Sequence, residues 1–152
     1  MWDRLLFALD HFESGQTALE FVASLAPTYD VSVRVLHLRE MSRALPLESH
    51  AEAEDMMRDA VRSLQSLGVR AEGRSRSVLQ EHVADRIVEE ALLWECQGIV
   101  LGSQRLHGFS RLSGRGVRER IFRLSSLPVL VAPTVETSGK MATTSSRLVR
   151  QR

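Results

Sequence analysis

One cysteine, Cys96, stands in a chain of 152 residues that has 5% aromatic residues and a formal net charge of only +1. A lone cysteine excludes an intramolecular disulfide and a pair of thiolate metal ligands, and Cys96, in the helical-looking run 91–96, reads as a small packing residue. No run approaches the ~18 consecutive apolar residues of a membrane-spanning helix, and the opening Met1-Trp2-Asp3-Arg4 lacks the basic-then-apolar order of a secretory signal. The expectation is a cytoplasmic protein with no membrane association. His11, His37, His50, His82 and His107 show no metal-ligand spacing, so no metal is expected. Ser110, Ser113, Ser125 and Ser126 have no base and orienting acid arranged around them, so no catalytic residue is assigned and no enzymatic activity is expected.

What is present is ordinary in amount, 43% hydrophobic and 26% charged, and unevenly distributed. This composition is that of a soluble globular domain, and the length suits one domain with a two- or three-layer core. The charge is segregated along the chain. Residues 102–123 carry six arginines (Arg105, Arg111, Arg115, Arg118, Arg120 and Arg123) against one acid, Glu119. A basic surface of this kind attracts phosphate, nucleic acid or an acidic protein.

The apolar pattern alternates between two periods. Residues 4–9 (RLLFAL) form a short apolar run without polar alternation, as a strand covered on both faces requires. Ser14 can cap a helix with Ala18, Phe21, Val22, Leu25 and Ala26 at helical spacing, and Pro27 is expected just beyond it. Residues 31–38 (VSVRVLHL) read as a second strand, followed by a polar connection over 39–50. A helix with Met57, Ala60, Val61 and Leu64 on one face ends at Leu67-Gly68, where glycine accepts a left-handed cap. Residues 69–78 alternate small or apolar with charged residues, which suits a strand with a solvated face or near a sheet edge. Next come a helix with Val83, Ile87, Val88, Ala91 and Leu92, a buried strand at 98–102, a helix with Val117, Ile121 and Leu124, and a last strand at 127–132. The order βαβαβαβαβ implies an α/β fold: a five-stranded, mainly parallel, doubly wound sheet with helices on both faces, a nucleotide-binding-like α/β sandwich. The domain spans residues 1–133, and residues 134–152, where the chain turns to Thr and Ser, read as a flexible C-terminal tail.

With these units placed, the chain resembles the universal stress protein family over about residues 1–133. The likeness rests on Leu6-Phe7-Ala8-Leu9-Asp10, Val35-Leu36-His37-Leu38, Gly98-Ile99-Val100-Leu101-Gly102-Ser103, Gly108-Phe109-Ser110-Arg111-Leu112, Val117-Arg118-Glu119-Arg120-Ile121 and Leu127-Pro128-Val129-Leu130-Val131. In family members that bind ATP, the fourth strand is followed by G-x-x-G, nine residues, then G-[ST], and backbone amides there hold the phosphates. Glycines serve because a side chain blocks close backbone approach. This chain reads G-x-x-R, nine residues, R-G: Gly102 matches, while Arg105, Arg115 and Gly116 depart.

The resemblance implies candidate nucleotide-site residues Ala8, Asp10, Leu38, Gly102, Arg105, Arg115, Gly116 and Val117, with Asp10 as the acid at the end of the first strand and Leu38 at the position whose main chain meets adenine. Two outcomes stay open for the arginines. They fill the cavity and pair with carboxylates such as Asp10, or they bind phosphate in place of the lost backbone donors. The expected function is a regulatory or interaction module in the stress response that does not bind ATP in the usual family mode. The first alternative is an adenine-nucleotide switch (ATP or another adenine nucleotide) using Arg105 and Arg115, and the second is a basic surface for nucleic acid. The helix that carries Arg118, Arg120 and Arg123 reads as a solvated face rather than a nucleic-acid surface. The resemblance further implies a homodimer through the last strand, with Val129, Leu130 and Val131 at its interface.

Overall fold

A computed structural model of the chain describes residues 2–9, 15–42, 48–102 and 111–133, with side chains throughout except at 15–16 and 111–115. The apolar run Arg4–Leu9 forms strand β1, and Gly15–Tyr29 forms helix α1. Strand β2 is Ser32–Met41, helix α2 His50–Ser66 and strand β3 Ala71–Leu79. A 3₁₀ turn at Gln80–His82 leads into helix α3, Val83–Leu93, and then strand β4, Gly98–Leu101. Helix α4, Arg111–Leu124, and strand β5, Val129–Val131, complete the order. Every strand pair is parallel and the sheet order is β3-β2-β1-β4-β5, the doubly wound arrangement expected from the alternation.

Three helices stop by the same device. After α1, α2 and α3 one residue takes a left-handed conformation: Asp30 (φ 52), Gly68 (φ 81) and Glu95 (φ 53). The next amide then reaches back to a carbonyl in the last turn, Val31 to Ala26 at 3.1 Å, Val69 to Leu64 at 3.0 Å and Cys96 to Ala91 at 2.9 Å. This is the Schellman closure, which satisfies carbonyls that the helix leaves without a donor. Val31, Val69 and Cys96 are all buried, so each turn also drops an apolar side chain into the core as the chain heads for the next strand.

The strands are covered on both faces, as their unbroken apolar runs require. Leu5, Phe7, Val33 and Val35 pack with Ala18, Val22, Met57 and Leu64 of α1 and α2. On the other face Leu6, Leu36, Leu38 and Ile99 pack with Ile87, Ala91 and Ile121 of α3 and α4. Leu64 is fully buried, and truncating such a leucine to alanine costs about 2–5 kcal/mol. A Cβ on Gly73 would lie 2.5 Å from Met57 Sδ and 2.8 Å from Val61 Cγ2, so glycine there lets α2 approach β3 closely.

Several local expectations are corrected. Pro27 lies inside α1; in the last turn its missing amide forfeits one bond, while Thr28 Oγ1 donates to Ser24 O at 3.3 Å and the Val31 amide closes the end. The polar residues 39–41 continue β2 because they pair with Ser77, Val78 and Leu79 of β3. Cys96 lies past α3, whose left-handed Glu95 ends it. Leu92 and Leu124, expected on apolar faces, are 55% and 45% exposed, whereas Glu90 of α3 is buried. Its carboxylate faces Arg74 Nη1 and Arg76 Nε of the edge strand, each at 3.5 Å, which clamps α3 to β3. The proposed cap Ser14 and the tail 134–152 lie outside the described residues.

Candidate functional site

Sequential connections run from β1 outward to β2 and β3, and the chain then returns to the far side of β1 for β4. The order therefore reverses between β1 and β4, and a parallel sheet opens a crevice at the carboxyl ends of such a strand pair. Ala8 and Leu101 are register partners at this point, and Gly102 follows β4 directly. A Cβ on Gly102 would meet only Ala18 Cβ, at 3.8 Å, so the end of β4 is open to close approach. The helices α1 and α4 follow these two strands, and their N-termini carry the partial positive charge of unsatisfied amides toward the same edge.

The eight candidate residues are distributed as follows. Ala8 is next to last in β1, Gly102 follows β4, and Leu38 lies three residues before the end of β2, buried among the residues facing α3 and α4. Val117 is half-buried against the same cluster. Asp10 and Arg105 lie outside the described residues, as does the Arg115 side chain.

The backbone of 115–117 differs from the expectation that Arg115 and Gly116 close a loop. Helix α4 begins at Arg111, so Arg115, Gly116 and Val117 sit in its second turn. There an amide donates to the carbonyl four residues earlier, which commits the amides of 115–117 to the helix and removes them as donors to a phosphate. Gly116 is exposed, a Cβ on it would meet nothing within 4 Å, and it has no positive φ. Neither packing nor conformation requires glycine at that position.

The basic segment is also partly neutralised. Arg120 places Nη2 3.2 and 3.1 Å from the two carboxylate oxygens of Asp85 on α3, which ties the two helices together. Among the described residues no group of three or more His, Cys, Asp or Glu side chains could hold a metal, and no helix is long and apolar enough to cross a membrane.

Sequence reasoning missed a buried polar network beside Leu38. His37 is fully buried, with Nε2 2.9 Å from Glu48 Oε2 and Nδ1 3.4 Å from the carbonyl oxygen of Leu9. Arg39 donates from Nε to the Glu48 carbonyl at 2.6 Å, and its Nη1 lies 3.3 Å from Ser77 Oγ and 3.4 Å from His50 Nε2. Ser49 caps α2 immediately after Glu48: its hydroxyl accepts the Glu52 amide at 3.2 Å and its own amide donates to Glu52 Oε2 at 2.8 Å. That S-x-x-E capping box was the available signal. It marks the start of α2 and brings Glu48 to the sheet edge.

The model of the Universal stress protein family matches residues 1–133. A solved structure of a protein from that family from Burkholderia pseudomallei superposes with a TM-score of 0.69 at 23% identity, covering 88% of this chain and 97% of that one. A universal stress protein from Archaeoglobus fulgidus in complex with dAMP gives 0.67 at 21% identity, over 87% and 98%. A family protein from Arabidopsis thaliana with AMP bound gives 0.60 at 17% identity, over 91% and 97%. At these identities the likeness is one of fold. No curated protein matches the sequence.

Proposed function

Since the chain belongs to the universal stress protein family, we propose that it is a non-enzymatic regulatory or interaction module of the stress response that does not hold ATP by the family's glycine loop. The observation that carries this reading is the enclosure of Arg115, Gly116 and Val117 within α4. A phosphate cradle needs amides that point outward without internal partners, and an amide inside a helix has a carbonyl partner already. Cytoplasmic residence goes with this reading.

The module is proposed to act as a homodimer through β5. Its two sheet edges are unequal in a way that supports this. β3 carries Glu72, Arg74 and Arg76, the kind of charged residues that blunt an edge, whereas β5 presents Val129, Leu130 and Val131, all half-buried, with β4 on one side only.

The dAMP and AMP complexes of the two relatives favour a second reading, an adenine-nucleotide switch in which Arg105 and Arg115 take over the phosphates. Isothermal calorimetry with ATP and Mg²⁺ separates the two. The first reading expects no binding heat at millimolar nucleotide. Saturable heat that disappears in the Arg105→Ala, Arg115→Ala double variant replaces it with the second.

A further inference from the structure

Arg39 is the only arginine buried among the described residues, with 8% of its surface exposed. Its hydrogen-bond partners include no carboxylate: they are the Glu48 carbonyl, the Ser77 hydroxyl and the His50 imidazole. The more exposed Arg4, Arg34, Arg70, Arg74, Arg76 and Arg120 each have a carboxylate within 4.0 Å. Arg39 has none within that distance among the described residues. Glu48, whose backbone carbonyl accepts from Arg39 Nε, turns its Oε2 to His37 instead.

A guanidinium stays charged in a protein, so it cannot escape burial by losing a proton. A buried charge without a counterion is destabilising by several kcal/mol. Of the donors of Arg39, Nε is occupied by the Glu48 carbonyl, Nη1 is shared between two long contacts, and Nη2 makes no hydrogen bond among the described residues. Arg39 and Ser77 are register partners on β2 and β3, and His50 is the first residue of α2. Ser77 and His50 are exposed, so the hydroxyl and the imidazole that flank the Arg39 guanidinium stand at the surface, at the positive end of a 17-residue helix.

The geometry points to an oxyanion-binding site at the carboxyl ends of β2 and β3, formed by Arg39, Ser77 and His50, that takes phosphate or the phosphate group of a small monoester. The Arg39 guanidinium offers phosphate oxygens the two N–H donors of Nη2, which have no partner among the described residues. Ser77 donates a third hydrogen bond, and His50 lines the side toward α2. The carboxylates of Glu48 and Glu52 are engaged, by His37 and by the Ser49 amide. The site lies on the α2 side of the sheet, away from the β1–β4 crevice, so it stands whether or not a nucleotide occupies that crevice.

The test is a ¹H–¹⁵N titration of the full chain with inorganic phosphate, with sodium chloride and acetate at matched ionic strength. Saturable shifts are expected at the Ser77 and His50 amides and at the Arg39 side-chain Nε–H. Ser77→Ala should weaken phosphate binding about tenfold, as loss of a hydrogen bond to a charged group does. Arg39→Lys, which keeps the charge and loses the fork, should weaken it at least as much. Shifts no larger than those in chloride, equal saturation by acetate, or an unchanged Kd in Ser77→Ala and His50→Asn would each overturn the assignment. Ser77 and His50 are surface positions, so those variants remain informative even where Arg39→Lys loosens the fold.

Discussion

The imidazole Nε2 of His37 and Oε2 of Glu48 lie 2.9 Å apart with both side chains buried, one on β2 and the other at the residue before the cap of α2. The pair fastens the entry to α2 onto the carboxyl edge of the sheet. Nδ1 of the same ring faces the Leu9 carbonyl of β1, so β1, β2 and the entry to α2 meet at a single side chain.

Glu48→Ala is therefore expected to destabilise the protein by about 1–3 kcal/mol, the penalty for a buried polar group left without its partner. Glu48→Gln, which keeps an acceptor oxygen, should lose less. Urea denaturation of the two variants measures the difference, and equal stability of all three proteins would show the pair to be energetically idle.

Burial pushes the Cys96 thiol up to about 11 from its ordinary 9.0. The folded protein thus holds the neutral thiol while the unfolded chain ionises first. The resulting stabilisation is complete below about pH 9 and is lost as pH rises toward 11, on the order of 2–3 kcal/mol at the upper end. In Cys96→Ala this part of the alkaline decline should vanish, as comparison of the two denaturation curves across that window will show. Native Cys96 should also resist alkylation at neutral pH until the protein unfolds.

Gly116→Ala should raise stability by about 0.5–1 kcal/mol, because glycine inside a helix is penalised relative to alanine and the new Cβ has open space. A rise in Tm of about 2 °C is the expected size for a domain of this length. A fall in Tm would mean that Gly116 serves a conformation other than the helix interior.

Leu130→Asp should shift the proposed dimer to monomer, since a carboxylate on an apolar edge strand opposes strand pairing across it. Light scattering reports the mass. Leu130 also packs partly against the core on the α1 and α2 side, so circular dichroism accompanies the measurement. A folded variant that is still dimeric places the interface elsewhere.

Much of the architecture was legible because its signals are local. The runs at β1 and β4 are apolar without alternation, as strands buried on both faces are, and the Leu67-Gly68 stop was readable from glycine alone. The equivalent stops at Asp30 and Glu95 use residues that seldom adopt positive φ, so nothing in the sequence marked Cys96 as lying beyond α3. The candidate site was legible only in part. Ala8 and Gly102 fall at the ends of β1 and β4, whereas β2 runs three residues past Leu38 and the glycine pattern around Arg115 suggested a loop where α4 has already begun.

By itself the sequence determined the alternation of strands and helices, the parallel doubly wound class and the family, because periodicity, helix stops and short motifs depend on residues close together in the chain. Only the tertiary structure decided that Arg39, Glu40 and Met41 are strand, that His37 is buried against a carboxylate and Glu90 against two guanidinium groups, and that Arg39 is buried without a carboxylate beside it. The physical reason is the same for each. A polar residue is admitted to the interior by the group it meets there, and those groups lie 9 to 38 residues away along the chain.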